Sequence, residues 1–338
     1  MNFICVEGNY FVCHHLPRRR RSSKFTNLQG ITMSKLHALA GASSIFKTGK
    51  VFKNQTFSST YYKYMIPVSE EIINMVLSFV QVKRNAQPLE MAVDVGCGTG
   101  RYTIPLAPHF RKVLGIDISE SQINLANQYN LLDNVSYMVA PAEKLPIEND
   151  SVDLVNVGLA AHWFKVDKFA GEAARVLKKK GCFALHGFHP SNEIEYKDLS
   201  HDLTVVMSEI WNFLHPYADK NIEDMYCQYK NIYEAVPLKD KQWITDIPVK
   251  FHMSIAEIMG FIQSVCMFQI FLEKDVKGAE QFLKQTEKRC PAGNLQMYAV
   301  RMTSRKGINR FQEILGEKAD SVQLNVQMKH YCVLACKD

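Results

Sequence analysis

The stretch MAVDVGCGTGR, Met91 to Arg101, decides how this chain reads. Apolar residues run into Asp94, and three glycines follow at two-residue spacing: Gly96, Gly98 and Gly100. The pattern predicts a strand, a tight turn and a helix N-terminus. Glycine tolerates positive φ and lets a ligand approach backbone where a Cβ would collide. A helix N-terminus adds free N–H groups. The loop is therefore expected to hold a nucleotide-like ligand against the carboxyl end of a strand.

A dinucleotide-binding fingerprint places its third glycine three positions after the second, GxGxxG. Here Arg101 stands at that position and the spacing is GxGxG. With an acidic residue two positions before the first glycine, the loop resembles motif I of the class I S-adenosylmethionine-dependent methyltransferases. That resemblance implies that Asp94 orients the methionine end of the cofactor and that Gly96, Gly98 and Gly100 pass beneath it.

The elements downstream fall in the order that resemblance requires. A second strand, Lys112 to Ile116, ends in Asp117. An acidic side chain leaving the second strand of a βαβ unit can accept hydrogen bonds from both ribose hydroxyls, so Asp117 is the expected ribose partner. The segment VAPAEKLP (Val139 to Pro146) follows a third strand at Val135 to Val139; the matching family stretch meets the adenine edge, which implies Ala142 and Glu143. Ser151 to Val157 reads as a fourth strand, Val166 to Leu177 as a helix and Lys180 to Leu185 as a fifth strand. Each feature alone has a bland explanation, since GxGxG occurs in simple turns and an Asp after a strand often caps a helix. Their succession from Met91 to Leu185 points to S-adenosylmethionine binding. The implied fold is α/β: a seven-stranded Rossmann-like sheet with helices on both faces and a helical cap insertion.

The chain has 338 residues with 47% apolar content, enough to bury a full core. No apolar run reaches the roughly 18 residues needed to span a bilayer, and no membrane association is expected. Nine cysteines lack CxxC pairs or metal-like spacing with histidine, which fits reduced thiols in a cytoplasmic protein and predicts no metal site. The net charge is +6, but residues 1–50 hold eight Lys or Arg against one acid, Glu7; that segment carries +7 and the remainder sums to −1. A neutral body lacks the basic face that nucleic-acid binding wants.

Four regions are expected. Residues 1–33 contain RRRRSS and read as a disordered basic tail, with a weak targeting segment or sequence upstream of a second start at Met33 as alternatives. Residues 34–88 form an N-terminal lid and helix, with Tyr61, Tyr62 and Tyr64 as lid candidates and a helix over Pro67 to Val82 entered through Ser69, Glu70 and Glu71. Residues 89–190 form the cofactor-binding core. Residues 191–338 supply a helical cap (Leu199–Leu214, Ile222–Ala235, Ile255–Val265, Val276–Lys288) and two closing strands, Ile247–Met253 and Gln327–Ala335; Arg289 to Asp320 is the least readable part.

Ligands of open α/β sheets bind outside the carboxyl ends of the strands. The fourth strand ends in GLAAHWF, placing Gly158, His162 and Trp163 at that edge. This run resembles the small-molecule branch of the methyltransferase type 11 group that includes trans-aconitate methyltransferases, with Lys165 where that branch usually carries Asp. His162 is the candidate catalytic residue, alongside the plainer reading of a structural histidine at a strand end. Trp163 and Tyr62 are candidate pocket walls, and so is Met267 in the apolar stripe Met253 to Phe271, a stripe that core packing also explains. His186 and His189 rank below His162. The expected activity is O-methylation of a small acceptor such as an organic acid. Alternatives are methyl transfer to RNA, lipid or protein, and a non-catalytic cofactor-binding module; oligomeric state is not readable.

Overall fold

The computed structural model describes residues 55–85, 88–284, 311, 314–316 and 322–338. The basic segment 1–33, the stretch 34–54, the end of the helix expected to reach Lys288 and most of 289–320 lie outside the described residues.

Parallel strands β1 (Met91–Val95), β2 (Lys112–Asp117), β3 (Val135–Val139), β4 (Val152–Gly158) and the first half of β5 (Leu177–Glu195) join antiparallel β6 (Asp240–Ser254) and β7 (Gln323–Cys336) in one sheet. The strand order is β3-β2-β1-β4-β5-β7-β6. Strand order reverses between β1 and β4, and in open α/β sheets that switch point opens a crevice at the carboxyl ends. The Asp94–Gly100 loop leaves β1 there. Strands β1 and β4 are almost wholly buried, as near-continuous apolar runs covered on both faces must be.

Helices α1 (Gln55–Tyr64) and α2 (Glu70–Lys83) precede the sheet. Ser69 caps α2 by accepting from the Ile72 N–H, and Glu70 and Glu71 lie in its first turn. The helix buries Ile73, Val76, Leu77 and Val80 against Leu106 and Phe110 on one face of the sheet. On the other face, α4 (Val166–Val176) buries Phe169, Ala173 and Val176. Each such side chain contributes about 1.5–3 kcal/mol on burial. Helix α3 (Glu120–Tyr129) connects β2 to β3.

Three elements differ from expectation. The chain after Gly100 forms no α-helix: it turns and enters a 3₁₀ segment, Ile104–His109. Pro105 and Pro108 explain this, because each removes a backbone donor and clashes with the preceding turn. The helix expected over Ile222–Ala235 is broken into short α6 (Glu223–Tyr226) and α7 (Lys230–Ala235) by Gln228 and Tyr229, both at positive φ. The last three strands are much longer than their apolar runs. Strand β5 pairs with β4 only as far as Gly158 against His186, then continues against β7 alone to Glu195 opposite Asn325.

That antiparallel extension, β5-β7-β6 beyond the parallel strands, is the platform of the cap. Phe188, Ile194, Val249, Phe251, Leu324, Val326 and Met328 pack there with α5 (Ser200–Leu214), α8 (Ile255–Ser264) and α9 (Cys266–Lys274). Ser254 and Glu257 form a reciprocal capping box at the start of α8. Helix α10 (Val276–Lys284) follows α9. Among the described residues no single helix is long and apolar enough to cross a membrane.

Arg101, the residue that breaks the dinucleotide fingerprint, fastens α1 to the cofactor loop. Its guanidinium donates to the carbonyls of Tyr62 (3.0 Å), Met65 (2.7 Å) and Ile66 (2.6 Å), satisfying orphan acceptors at the end of α1. Gly260 of α8 admits the Tyr64 ring so closely that a Cβ would lie 2.2 Å from it. Helix α1 thus bridges the loop and the cap. Arg101→Ala removes hydrogen bonds from a charged donor, of a kind worth about 1.5–3 kcal/mol each. The expected outcome is faster limited proteolysis between Met65 and Ser69 and a lower urea midpoint, with Arg101→Lys restoring only part of the loss.

Candidate active site

The glycines of the loop do two separate jobs. Gly96, Gly98 and Gly100 all have positive φ, at 71°, 55° and 85°. At Gly96 a Cβ would lie 2.5 Å from Ala160 Cβ, and at Gly100 it would strike the Tyr137 hydroxyl at 2.2 Å, so these two are set by packing as well as by conformation. At Gly98 the nearest atom, Gln122 Oε1, is 3.6 Å away. Gly98 therefore faces room for a ligand. Gln122 Oε1 and the neighbouring Thr99 Oγ1 are buried and lack hydrogen-bond partners, an arrangement that a polar ligand would complete.

Asp117 stands beside that space. Its Oδ2 accepts from the Gly98 N–H at 2.9 Å and its Oδ1 from the Ser119 N–H at 2.8 Å. Burial raises its carboxyl above the usual range, and the backbone donors of Ser119, Gly98 and Ile118 oppose that shift. Each oxygen keeps a further lone pair for a diol. The open cradle at Gly98, the orphaned acceptor and the preset carboxylate together fit the ribose of a nucleoside.

Asp94 is fully buried at the end of β1. Its Oδ2 accepts from Thr103 Oγ1 at 2.7 Å and its Oδ1 from Asn156 Nδ2 at 2.8 Å. The Asn156 Oδ1 lies 3.0 Å from His186 Nε2, and the His186 ring meets Tyr102 edge-on at 4.7 Å. Burial pushes the Asp94 carboxyl up to about 6, with the bonds from Thr103 and Asn156 pulling it down. Gly158 lies under Tyr102, where a Cβ would come within 2.3 Å of the ring.

Beyond Gly158 the chain leaves β4 through Leu159 at φ 55° and a 3₁₀ turn, Ala161–Trp163. His162 is buried, and burial pushes its imidazole down to about 3. Its Nδ1 lies 2.9 Å from the Tyr229 hydroxyl. Tyr229 is completely buried, and its ring stands edge-on to Tyr331 at 4.9 Å. Nothing in the local sequence marks Tyr229, because its segment reads as uninterrupted helix. Trp163 is half-buried, with its ring 5.0 Å from His162.

The other predicted residues are spread around this centre. Ala142 is buried; Glu143 is half-buried and accepts from the Lys165 N–H at 2.9 Å, tying the loop after β3 to the start of α4. Tyr62 is turned outward: it is 37% exposed and stacks on Tyr129 at 4.6 Å, because one residue along a helix rotates a side chain to a different face. Tyr61 is the side chain turned inward. Burial pushes its hydroxyl up to about 12, with Arg101 opposing and Asp117 and Cys266 reinforcing the shift. Met267 is buried in the apolar core of the cap. His189 lies near the surface, 2.6 Å from Ser191 Oγ, and His186 belongs to the Asp94 network.

Comparison with known proteins agrees with this geometry. Residues 93–185 match the methyltransferase domain family. A Dictyostelium discoideum protein provisionally named a methyltransferase is 28% identical over 236 residues, covering 68% of this chain and 83% of its own length. A Saccharomyces cerevisiae protein provisionally named an S-adenosylmethionine-dependent methyltransferase is 27% identical over 186 residues, covering 53% of this chain and 61% of its own. A Methylococcus capsulatus malonyl-[acyl-carrier protein] O-methyltransferase is 29% identical over 111 residues, covering 32% and 40%. The fold is shared with a type II methyltransferase structure, provisionally described, from Anaeromyxobacter dehalogenans, with TM-score 0.55, 18% identity, and 77% of this chain and 95% of that one covered. The fold is that of class I methyltransferases, and the matched domain and the similar proteins mark the chain as an S-adenosylmethionine-dependent methyltransferase.

The glycines make a discriminating test. Gly98→Ala should cost no more stability than left-handed backbone, about 1–2 kcal/mol, while sharply weakening S-adenosylmethionine binding in isothermal titration. Gly96→Ala should lower the unfolding midpoint further, because its Cβ has no room.

His162 supplies a second test. Its unfolded pKa is the ordinary 6.5 and its folded value is about 3. As pH falls below 6.5 the unfolded chain gains a proton that the folded protein refuses, so stability declines by up to about 1.4 kcal/mol per pH unit for such a group. Urea titrations of His162→Gln between pH 6 and pH 4 should show a shallower decline than the parent. Equal slopes would mean that His162 protonates freely in the folded protein.

Proposed function

We propose that this enzyme methylates an oxygen of a small carboxylic acid bound at the β4–β5 edge beneath the cap. The observation that carries this reading is the absence of an available base among the described residues there. Burial holds His162 and His186 each down at about 3, and Tyr61 up at about 12, while both oxygens of Asp94 are committed to Thr103 and Asn156. A hydroxyl or ammonium acceptor has to lose a proton to react, whereas a carboxylate is ionised at neutral pH. The site suits an acceptor that arrives already charged.

Gly98 and Asp117 would hold S-adenosylmethionine, with Ala142 and Glu143 toward its base and Asp94 organising the loop under its methionine end. Bound there, it supplies a methyl whose bond to a positively charged sulfur breaks with the electron pair staying on sulfur, while the acceptor oxygen forms the new bond to carbon. The protein's own part is alignment and exclusion of water, and positioning of this kind can contribute about 7–11 kcal/mol. Helices α8 and α9 belong to the apolar cluster that also holds Phe188 of β5, and a cap of that character would favour a partly apolar acceptor. The likeness of GLAAHWF to the small-molecule branch supports the same acceptor class, and the malonyl-[acyl-carrier protein] O-methyltransferase among the relatives supports transfer to oxygen. The buried thiols of Cys97, Cys182, Cys332 and Cys336, none of them in a disulfide, support a cytosolic setting.

Transfer of labelled methyl from S-adenosylmethionine into a fractionated cell extract tests the reading. Label is expected in the small acidic fraction as a base-labile ester. Label in RNA, lipid or protein would overturn the acceptor class. Tight cofactor binding without transfer to any fraction would favour a binding module.

A further inference from the structure

The family resemblance selects His162 but is silent on which of its ring nitrogens carries the proton, and that choice separates a base from a donor. The Tyr229 hydroxyl decides it. A hydrogen bond across the 2.9 Å between Tyr229 Oη and His162 Nδ1 can run in either direction. In one arrangement the tyrosine donates to Nδ1, and the imidazole proton sits on Nε2. In the other, Nδ1–H donates to the tyrosine, and Nε2 is a bare lone pair.

Tyr229 itself breaks the tie. It is completely buried, and among the described residues the side-chain group hydrogen-bonded to its hydroxyl is His162 Nδ1. If Nδ1 donates, the Tyr229 proton is left buried with no acceptor, an arrangement that native structures avoid. If Tyr229 donates to Nδ1, both its proton and the Nδ1 lone pair are used. The last donor, His162 Nε2–H, has no partner among the described residues and is not one of the buried orphan atoms. It is left for a ligand.

The backbone supports a dedicated role for Tyr229. This bulky, completely buried side chain sits at φ 60°, ψ 24°, and Gln228 before it is also left-handed at φ 50°. Such conformations are costly for residues other than glycine and concentrate where function demands a particular placement. The Tyr229 N–H is held by the Asp224 carbonyl at 2.8 Å, which fixes the turn.

We propose that Tyr229 is a positioning residue that locks His162 as an Nε2–H donor to the acceptor's second oxygen. Resting on the carboxylate reading above, this makes His162 an orienting hydrogen-bond donor that never accepts a proton during turnover. A carboxylate would then offer one oxygen to the methyl and the other to His162.

The test is long-range ¹H–¹⁵N NMR of histidine-labelled protein, with the His162 signals identified by their loss in His162→Gln. The parent enzyme should show His162 as the Nε2–H tautomer. Tyr229→Phe should move it toward Nδ1–H or a mixture, and S-adenosylmethionine affinity should stay within about twofold because Tyr229 lies outside the cofactor loop. A parent enzyme with the Nδ1–H tautomer, or a folded Tyr229→Phe protein with His162 unchanged, would overturn the proposal. Should Tyr229→Phe fail to fold, the parent spectrum still decides it, Nε2–H supporting the proposal and Nδ1–H overturning it. Because the tautomer is read without an acceptor, its failure is separable from that of the carboxylate reading: an acidic ester product with an Nδ1–H histidine rejects this proposal alone.

Discussion

A carboxylate with no access to water sits at the point where the sheet changes direction. Asp94 gains its place only through the donors that meet it, since an ionised group removed from solvent is costly unless hydrogen-bonded. Thr103 brings back the chain that follows the glycines, and Asn156 belongs to the neighbouring strand β4. His186 extends the network to β5. Three strands and the cofactor loop are thereby held in one register at their carboxyl ends. The spacing between the loop and the carboxyl end of β4 depends on this network.

Above that edge the architecture changes from parallel to antiparallel. Parallel strands β1 to β4 stop where their connections must cross over, but β5 and β7 are free to continue as an antiparallel pair. The extension lifts Phe188 and Ile194 clear of the parallel sheet and gives the cap its core. The cap's segment through Tyr229 then returns to touch His162. Contact between this segment and the turn after β4 is made by a buried tyrosine in left-handed backbone.

The third tie runs from the loop outward. Arg101 takes the place where glycine would allow a helix to pack close, and uses it to gather three carbonyls at the end of α1. Tyr61, on that helix, is turned inward, where Asp117 and Cys266 act on its hydroxyl electrostatically, whereas Tyr62 faces solvent. A segment distant in sequence from the cap is thus fastened to the cofactor loop and packed against α8 through Tyr64 and Gly260.

Read alone, the sequence from Met91 to Leu185 determined the parallel half of the sheet and the cofactor loop, because glycine spacing, apolar runs and the acids after strands are local properties that leave local signatures. The α-helix expected after Gly100 failed for a local reason too, the paired prolines 105 and 108. What only the tertiary structure decided was the partner of each polar group. Asp94 bonded to Thr103 and Asn156, Arg101 to α1, and Tyr229 to His162 are contacts between segments whose separation no local pattern records. Strands β5 to β7 ran past their apolar stretches because antiparallel backbone pairing sustains them, even along Asp240–Asp246 of β6, where buried and exposed residues do not alternate. The identity of the donor was legible in a loop; the state of His162 depended on a tyrosine 67 residues away, placed there by the fold.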